Sequence, residues 1–130
     1  MSSIGNITFA CQDPAKLASF WAAALEYDIQ DAPPGMLEAI AEQGGDLNMA
    51  AAIVDPLGKG PRLLFLKKEK TITTSIPIHL DLNTPDREQE VARLVKLGAT
   101  EIETKTHTIG QYTSVWTVMK DPEGNGFCVQ

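Results

Sequence analysis

A chain of 130 residues has room for one domain with a substantial core and little more. Seventeen acidic against eleven basic side chains leave a net charge of −6, which repels phosphate backbones and anionic bilayers and argues against nucleic-acid and membrane-surface partners. Hydrophobic residues make up 43% and charged residues 22%, as in soluble globular proteins, and no run approaches the ~18 apolar residues of a membrane span.

The opening stretch MSSIGNITFACQ has no basic region leading into an apolar run, so no secretory signal is expected. Its NITFACQ portion alternates Ile7, Phe9 and Cys11 with Asn6, Thr8 and Ala10, the pattern of a half-buried strand. Cys11 then belongs to the core, and Asn6 and Thr8 to the opposite face. Asp13-Pro14 supplies an N-cap and a first-turn proline, and Leu17, Phe20, Trp21 and Ala24 form a helical stripe that assigns Trp21 to packing. The segment DAPPGMLEAIAEQGGDLNM is longer than a strand connection needs. Met36, Leu37 and Ile40 make one face of a short helix between Pro34 and Gly44, serving as a lid, a partner surface or a cover over a sheet edge. Strands are expected near Met49–Val54 and Arg62–Lys68, joined by the turn DPLGKGP. KEKTITTS, from Lys68 to Ser75, reads as a linker.

The second half repeats this grammar. In IPIHLDLN, Ile78, Leu80 and Leu82 alternate with His79, Asp81 and Asn83. Thr84-Pro85 reads as cap and first-turn proline, Val91, Leu94 and Val95 as the stripe, and Gly98 as the stop. Strands follow near Glu101–Lys105, Ser114–Lys120 and Phe127–Gln130. HTIGQYTS reads as a polar rim loop carrying His107 and Tyr112, and DPEGNG as a hairpin turn. An offset of 71 aligns Asp13-Pro14 with Thr84-Pro85, whereas 72 aligns the helix ends, and one residue of slip reverses every strand face. Each half nevertheless reads as strand, helix and three strands. The expected fold is α+β: one domain over 1–130 with two β-α-β-β-β repeats, about 4–68 and 76–130. Their bare faces form a curved, incompletely closed eight-stranded sheet around a cup suited to a small ligand.

His79 faces that cup, as a hydrogen-bonding residue of the sheet, a ligand contact with acid–base capacity near neutral pH, or a metal ligand. Asp81 shares its face, either orienting the imidazole and raising its pKa or simply pairing with it. Cys128 is a reactive thiol if His79 lies near it and an inert buried one otherwise. Trp116 stacks on a ligand or fills the core. No phosphate-binding glycine loop, CxxC pair, HExxH or nucleophile elbow is present. With only Cys11 and Cys128, a disulfide framework is not expected, which points to a reducing cytoplasm.

The doubled unit, with CQDPAKLASFWAAALEY, HLDLNTPDREQEVARLVKLGA and VMKDPEGNGFCV, resembles the vicinal oxygen chelate superfamily and its glyoxalase-like, bleomycin-resistance-like branch. That resemblance implies a divalent metal held in the cup by His and Glu, acting as a Lewis acid. Carried across, the ligand positions fall on Asn6, on Leu64 or Phe65, on His79 and on Cys128, so only His79 and Cys128 remain as donors. The metal centre therefore reads as lost, with no cofactor expected and a divalent metal as the alternative. The leading expectation is a cytoplasmic protein that binds an apolar or aromatic small molecule through Asn6, Thr8, His79, Asp81, Trp116 and Cys128, and the resemblance implies that it does so as a homodimer. The alternatives are a lyase or dioxygenase with an atypical metal site, and a metal-free acid–base enzyme using His79 and Asp81.

Overall fold

The computed structural model describes residues 1–68 and 78–130. Most of the expected linker, and the first residues of the second repeat, therefore lie outside the described residues. The elements run β1 (Ser3–Cys11), α1 (Pro14–Leu25), β2 (Asp28–Ile29), α2 (Met36–Glu42), β3 (Ala50–Val54), β4 (Arg62–Lys67), β5 (Ile78–Asn83), α3 (Arg87–Lys96), β6 (Thr100–Ile109), β7 (Tyr112–Lys120) and β8 (Gly126–Val129). All eight strands join one α+β sheet in the order β2-β3-β4-β1-β5-β8-β7-β6, left open between the edge strands β2 and β6. Within each half the first and last strands pair in parallel, and β1 pairs antiparallel with β5 to join the halves.

Local chemistry fixes the helix starts. The Asp13 carboxylate accepts the Lys16 N–H at 3.2 Å, and Pro14 opens α1. In the second half the cap is Asp86 rather than Thr84: its carboxylate accepts the Gln89 N–H at 3.1 Å, and the helix begins at Arg87. Thr84 instead prolongs the sheet, its N–H donating to the Gln130 carbonyl at 3.0 Å. Aligning the two caps, Asp13 with Asp86, gives an offset of 73. Being odd, it sets Asn6 and Thr8 against His79 and Asp81 and resolves the parity question.

Each helix covers its own half. Under α1, Ala18, Ala22, Ile53, Leu63 and Phe65 form a buried cluster, with Trp21 and Cys11 packed against it as the sequence suggests. Phe9 stacks on Phe65 at 5.3 Å. Burying a side chain such as Phe65 contributes ~2–3 kcal/mol. Val91, Met119 and Val129 form the second cluster, under α3.

A further expectation changes. HTIGQYTS is not a loop: β6 and β7 pair as far as Ile109 and Tyr112, so His107 and Tyr112 are strand residues. Gly110, at φ 58, opens the tight turn between them. The segment containing α2 packs beside the edge strand β6 of the other half, in keeping with the expected cover over a sheet edge. The Tyr112 hydroxyl donates to the Pro34 carbonyl at 2.7 Å, and Gly110 lies so close under Ala39 that an added Cβ would come within 2.8 Å of its methyl. The chain thus crosses from one edge of the sheet to the hairpin at the other, burying Ile40 and leaving Leu37 49% exposed.

Candidate functional site

The face opposite α1 and α3 carries the polar side chains in rows set by strand register. One row runs Arg62–Asn6–Asp81–Cys128–Val118 across β4, β1, β5, β8 and β7. The neighbouring row aligns Leu64, Thr8 and His79. Ala52 pairs with Leu64 on one flank, and Trp116, two residues from Val118, lies on the other. A cup floor of polar groups between apolar flanks follows directly from the alternation.

Asp81 is the centre of that floor. It is 6% exposed, and its Oδ2 accepts from Thr8 Oγ1 at 2.6 Å and Asn6 Nδ2 at 3.2 Å. His79 Nε2 lies 3.2 Å from its Oδ1. The Asn6 Oδ1 accepts from the Arg62 guanidinium, whose Nε donates to Gln30 Oε1 at 2.8 Å. Among the described residues no buried side-chain nitrogen or oxygen lacks a partner. Burial pushes the Asp81 carboxyl up, but hydrogen bonds from His79, Thr8 and Asn6 outweigh it and hold the pKa below the ordinary value.

His79 moves furthest. Its bond to Asp81, and then its bond to Cys128, raise the imidazole pKa from 6.5 to about 9. It is therefore charged at neutral pH, an acid or a fixed cation rather than a base, and it does not titrate where an ordinary histidine does. With 31% of its side chain exposed it still reaches the cup. Arg62 stays cationic although burial lowers its pKa. Two cations against one carboxylate make the floor positive inside a chain of net charge −6.

Asn6, Thr8, His79, Asp81 and Cys128 thus converge, while Trp116 stands on the neighbouring flank. Arg62 went unread in the sequence, where β4 was searched for a carboxylate at Leu64 or Phe65. Leu64 faces the cup, Phe65 is wholly buried under α1, and neither ligates anything. Parity was the available signal, since Arg62 shares a face with Leu64. Glu90 was missed too. It is buried on α3, and hydrogen bonds from Arg93, first, and Ser2 lower its pKa to about 2. A cavity of about 420 Å³ beside it, lined by Met1, Thr84, Gln89, Arg93 and Lys96 among others, lies outside α3 and away from the cup.

His79, Asp81 and Cys128 each bring one donor atom within 4.8 Å of the others, three donors where the sequence offered two. The set is a possible metal site by proximity, but the donors are poorly prepared for one. His79 Nε2 lies 3.2 Å from Asp81 Oδ1 as an ion pair, Asp81 Oδ2 already accepts two hydrogen bonds, and Arg62 adds positive charge beside Asn6.

Against known proteins, the model of the glyoxalase-like domain matches residues 6–130. The chain belongs to that family. No curated protein matches its sequence. Among solved structures it is similar to methylmalonyl-CoA epimerase from Mycobacterium tuberculosis (12% identity, TM-score 0.64, covering 97% of this chain and 85% of that one). It is also similar to a glyoxalase/bleomycin resistance protein/dioxygenase superfamily member from Vibrio splendidus (12%, 0.57, all of both chains). A third is a methylmalonyl-CoA epimerase in complex with methylmalonyl-CoA and NH4+ (15%, 0.60, 99% and 93%). These likenesses show the fold. No helix among the described residues is long and apolar enough to cross a membrane.

Proposed function

We propose that this glyoxalase-like chain is a single-domain, metal-free small-molecule-binding protein. Its cup takes an apolar or aromatic body between Leu64 and Trp116 and turns an anionic or carbonyl end toward His79 and Arg62. The positive floor is the observation that carries the reading: Asp81 is already satisfied by Thr8, Asn6 and His79, which leaves the His79 and Arg62 cations as the floor's groups suited to an anionic or carbonyl end. Binding then comes from apolar burial, with orientation set by a few polar groups. Melting temperature and Trp fluorescence are measured with benzoate, phenylacetate and benzyl alcohol, with and without EDTA. The two carboxylates are expected to stabilise the protein more than the alcohol does, independently of EDTA, and a preference for the alcohol refutes the assignment.

A homodimer in the cytoplasm completes the proposal. It is supported by the exposed strip Ile4, Ile78 and Leu80 where β1 meets β5, and light scattering tests it. The convergence of His79, Asp81 and Cys128 favours one second reading, a lyase or dioxygenase with an atypical metal site. Stoichiometric zinc, nickel, iron or manganese in the purified protein, lost on His79→Ala, would establish it. A metal-free acid–base enzyme would use His79 as the acid and Asp81 to hold it.

A further inference from the structure

We propose that Cys128 is a nucleophile which, with His79 and Asp81, captures α,β-unsaturated carbonyl compounds that enter the cup. The inference rests on the reading of the cup as a small-molecule site and adds a covalent step to it.

Geometry carries the argument. Cys128 stands beside Asp81 in the parallel register of β8 and β5, half-buried on the cup face, with Val118 on its other side. Its sulfur lies within 4.8 Å of donor atoms of both His79 and Asp81. The order is that of a nucleophile, an imidazole and an orienting carboxylate. Asp81 is fixed by Thr8 and Asn6, so the imidazole it holds is fixed as well. A thiol beside an imidazolium at a partly exposed position is the setting in which cysteine reacts. Cys11 is the internal contrast: it packs under α1 with its sulfur 3.7 Å from the Leu66 carbonyl, and burial raises its pKa.

The ligand class follows from the surroundings. Sulfur is a soft nucleophile, the flanks at Leu64, Val118 and Trp116 are apolar, and the protonated imidazole of His79 suits a carbonyl oxygen that gains charge. In the step, sulfur bonds to the β-carbon and the C=C electron pair moves toward the carbonyl as an enolate. The Cys128 thiol loses its proton to solvent as sulfur attacks, and the protonated His79 gives a proton to the enolate and takes one back from solvent. The sum is addition of S–H across C=C, with nothing oxidised or reduced and no leaving group.

The full chain is incubated with 2-cyclohexenone at pH 7.5 and followed by intact mass and peptide mapping. Binding of cyclohexanone, which cannot form the adduct, is measured in parallel by thermal shift. One adduct is expected, on Cys128, forming at least about tenfold faster than on Cys11 or on N-acetylcysteine. Cys128→Ser should abolish it. His79→Gln should slow it about tenfold. If cyclohexanone binds but Cys128 reacts no faster than N-acetylcysteine, the nucleophile is refuted and the binding cup stands. If cyclohexanone does not bind and no adduct forms, both fail. An adduct forming at the same rate in His79→Gln refutes the constellation.

Discussion

The His79–Asp81 contact makes stability depend on pH in a direction set by the structure. The folded imidazole has a pKa of about 9 against an ordinary 6.5, so folding takes up a proton between those values. A group raised on folding contributes its full stabilisation below the unfolded pKa of 6.5 and loses it as pH rises through about 9. At ~1.4 kcal/mol per pH unit the gap corresponds to ~3 kcal/mol. The ring is 31% exposed and solvent screens the pair, so the measurable part is about 1–2 kcal/mol. The perturbation is His79→Gln, which keeps a polar side chain and removes the titration. Urea unfolding of both proteins at pH 6.0 and 9.5 should show the wild-type advantage shrinking by that amount at the higher pH, with an NMR imidazole midpoint well above 7. Parallel stability profiles, or a midpoint at 6.5 or below, would refute the assigned contact.

Asp81→Asn should cost about 2–3 kcal/mol in urea unfolding, because Thr8 and Asn6 lose a charged acceptor in a buried setting. It should also return the His79 midpoint toward 6.5, read by NMR. Gly110→Ala should cost about 1–2 kcal/mol, since φ 58 disfavours a side chain and the new methyl meets Ala39. Because the same change separates α2 from the hairpin, amide exchange over 36–42 should quicken while that over β1 and β5 stays unchanged.

What the sequence made legible was whatever had a buried face to mark it. β1 alternates because Ile7, Phe9 and Cys11 lie against the core under α1, whereas on β5 only Leu82 reaches a core and Ile78 and Leu80 stay exposed. In both strands the alternation puts Asn6, Thr8, His79 and Asp81 on the other face. β6 left no such trace. It is exposed along nearly its whole length, so nothing selected an apolar alternation and its end read as loop. The caps show the limit of local signals: Thr84-Pro85 and Asp86 both suit a helix start, and only the long-range bond from Thr84 to Gln130 decides between them. Arg62 was hidden by expectation rather than by sequence. A carboxylate was sought on β4 where the chain offers a guanidinium, and that exchange reverses the charge of the floor.

The reversal also determines how a metal must behave here if one binds at all. Zinc needs a neutral imidazole, and His79 holds its proton up to about pH 9. Each pH unit below that value lowers the available unprotonated form tenfold, and the Cys128 thiol must lose a proton as well, so apparent zinc affinity should rise at least about tenfold between pH 7 and 8. The ion must also take an Asp81 oxygen that now accepts from His79, while Arg62 opposes its charge through Asn6. Competition titration with a zinc chelator at the two pH values measures this, and Arg62→Met should strengthen zinc binding at both. Tight binding that ignores pH would mean that the imidazole carries no proton to lose, and the donor network drawn around Asp81 would have to be abandoned.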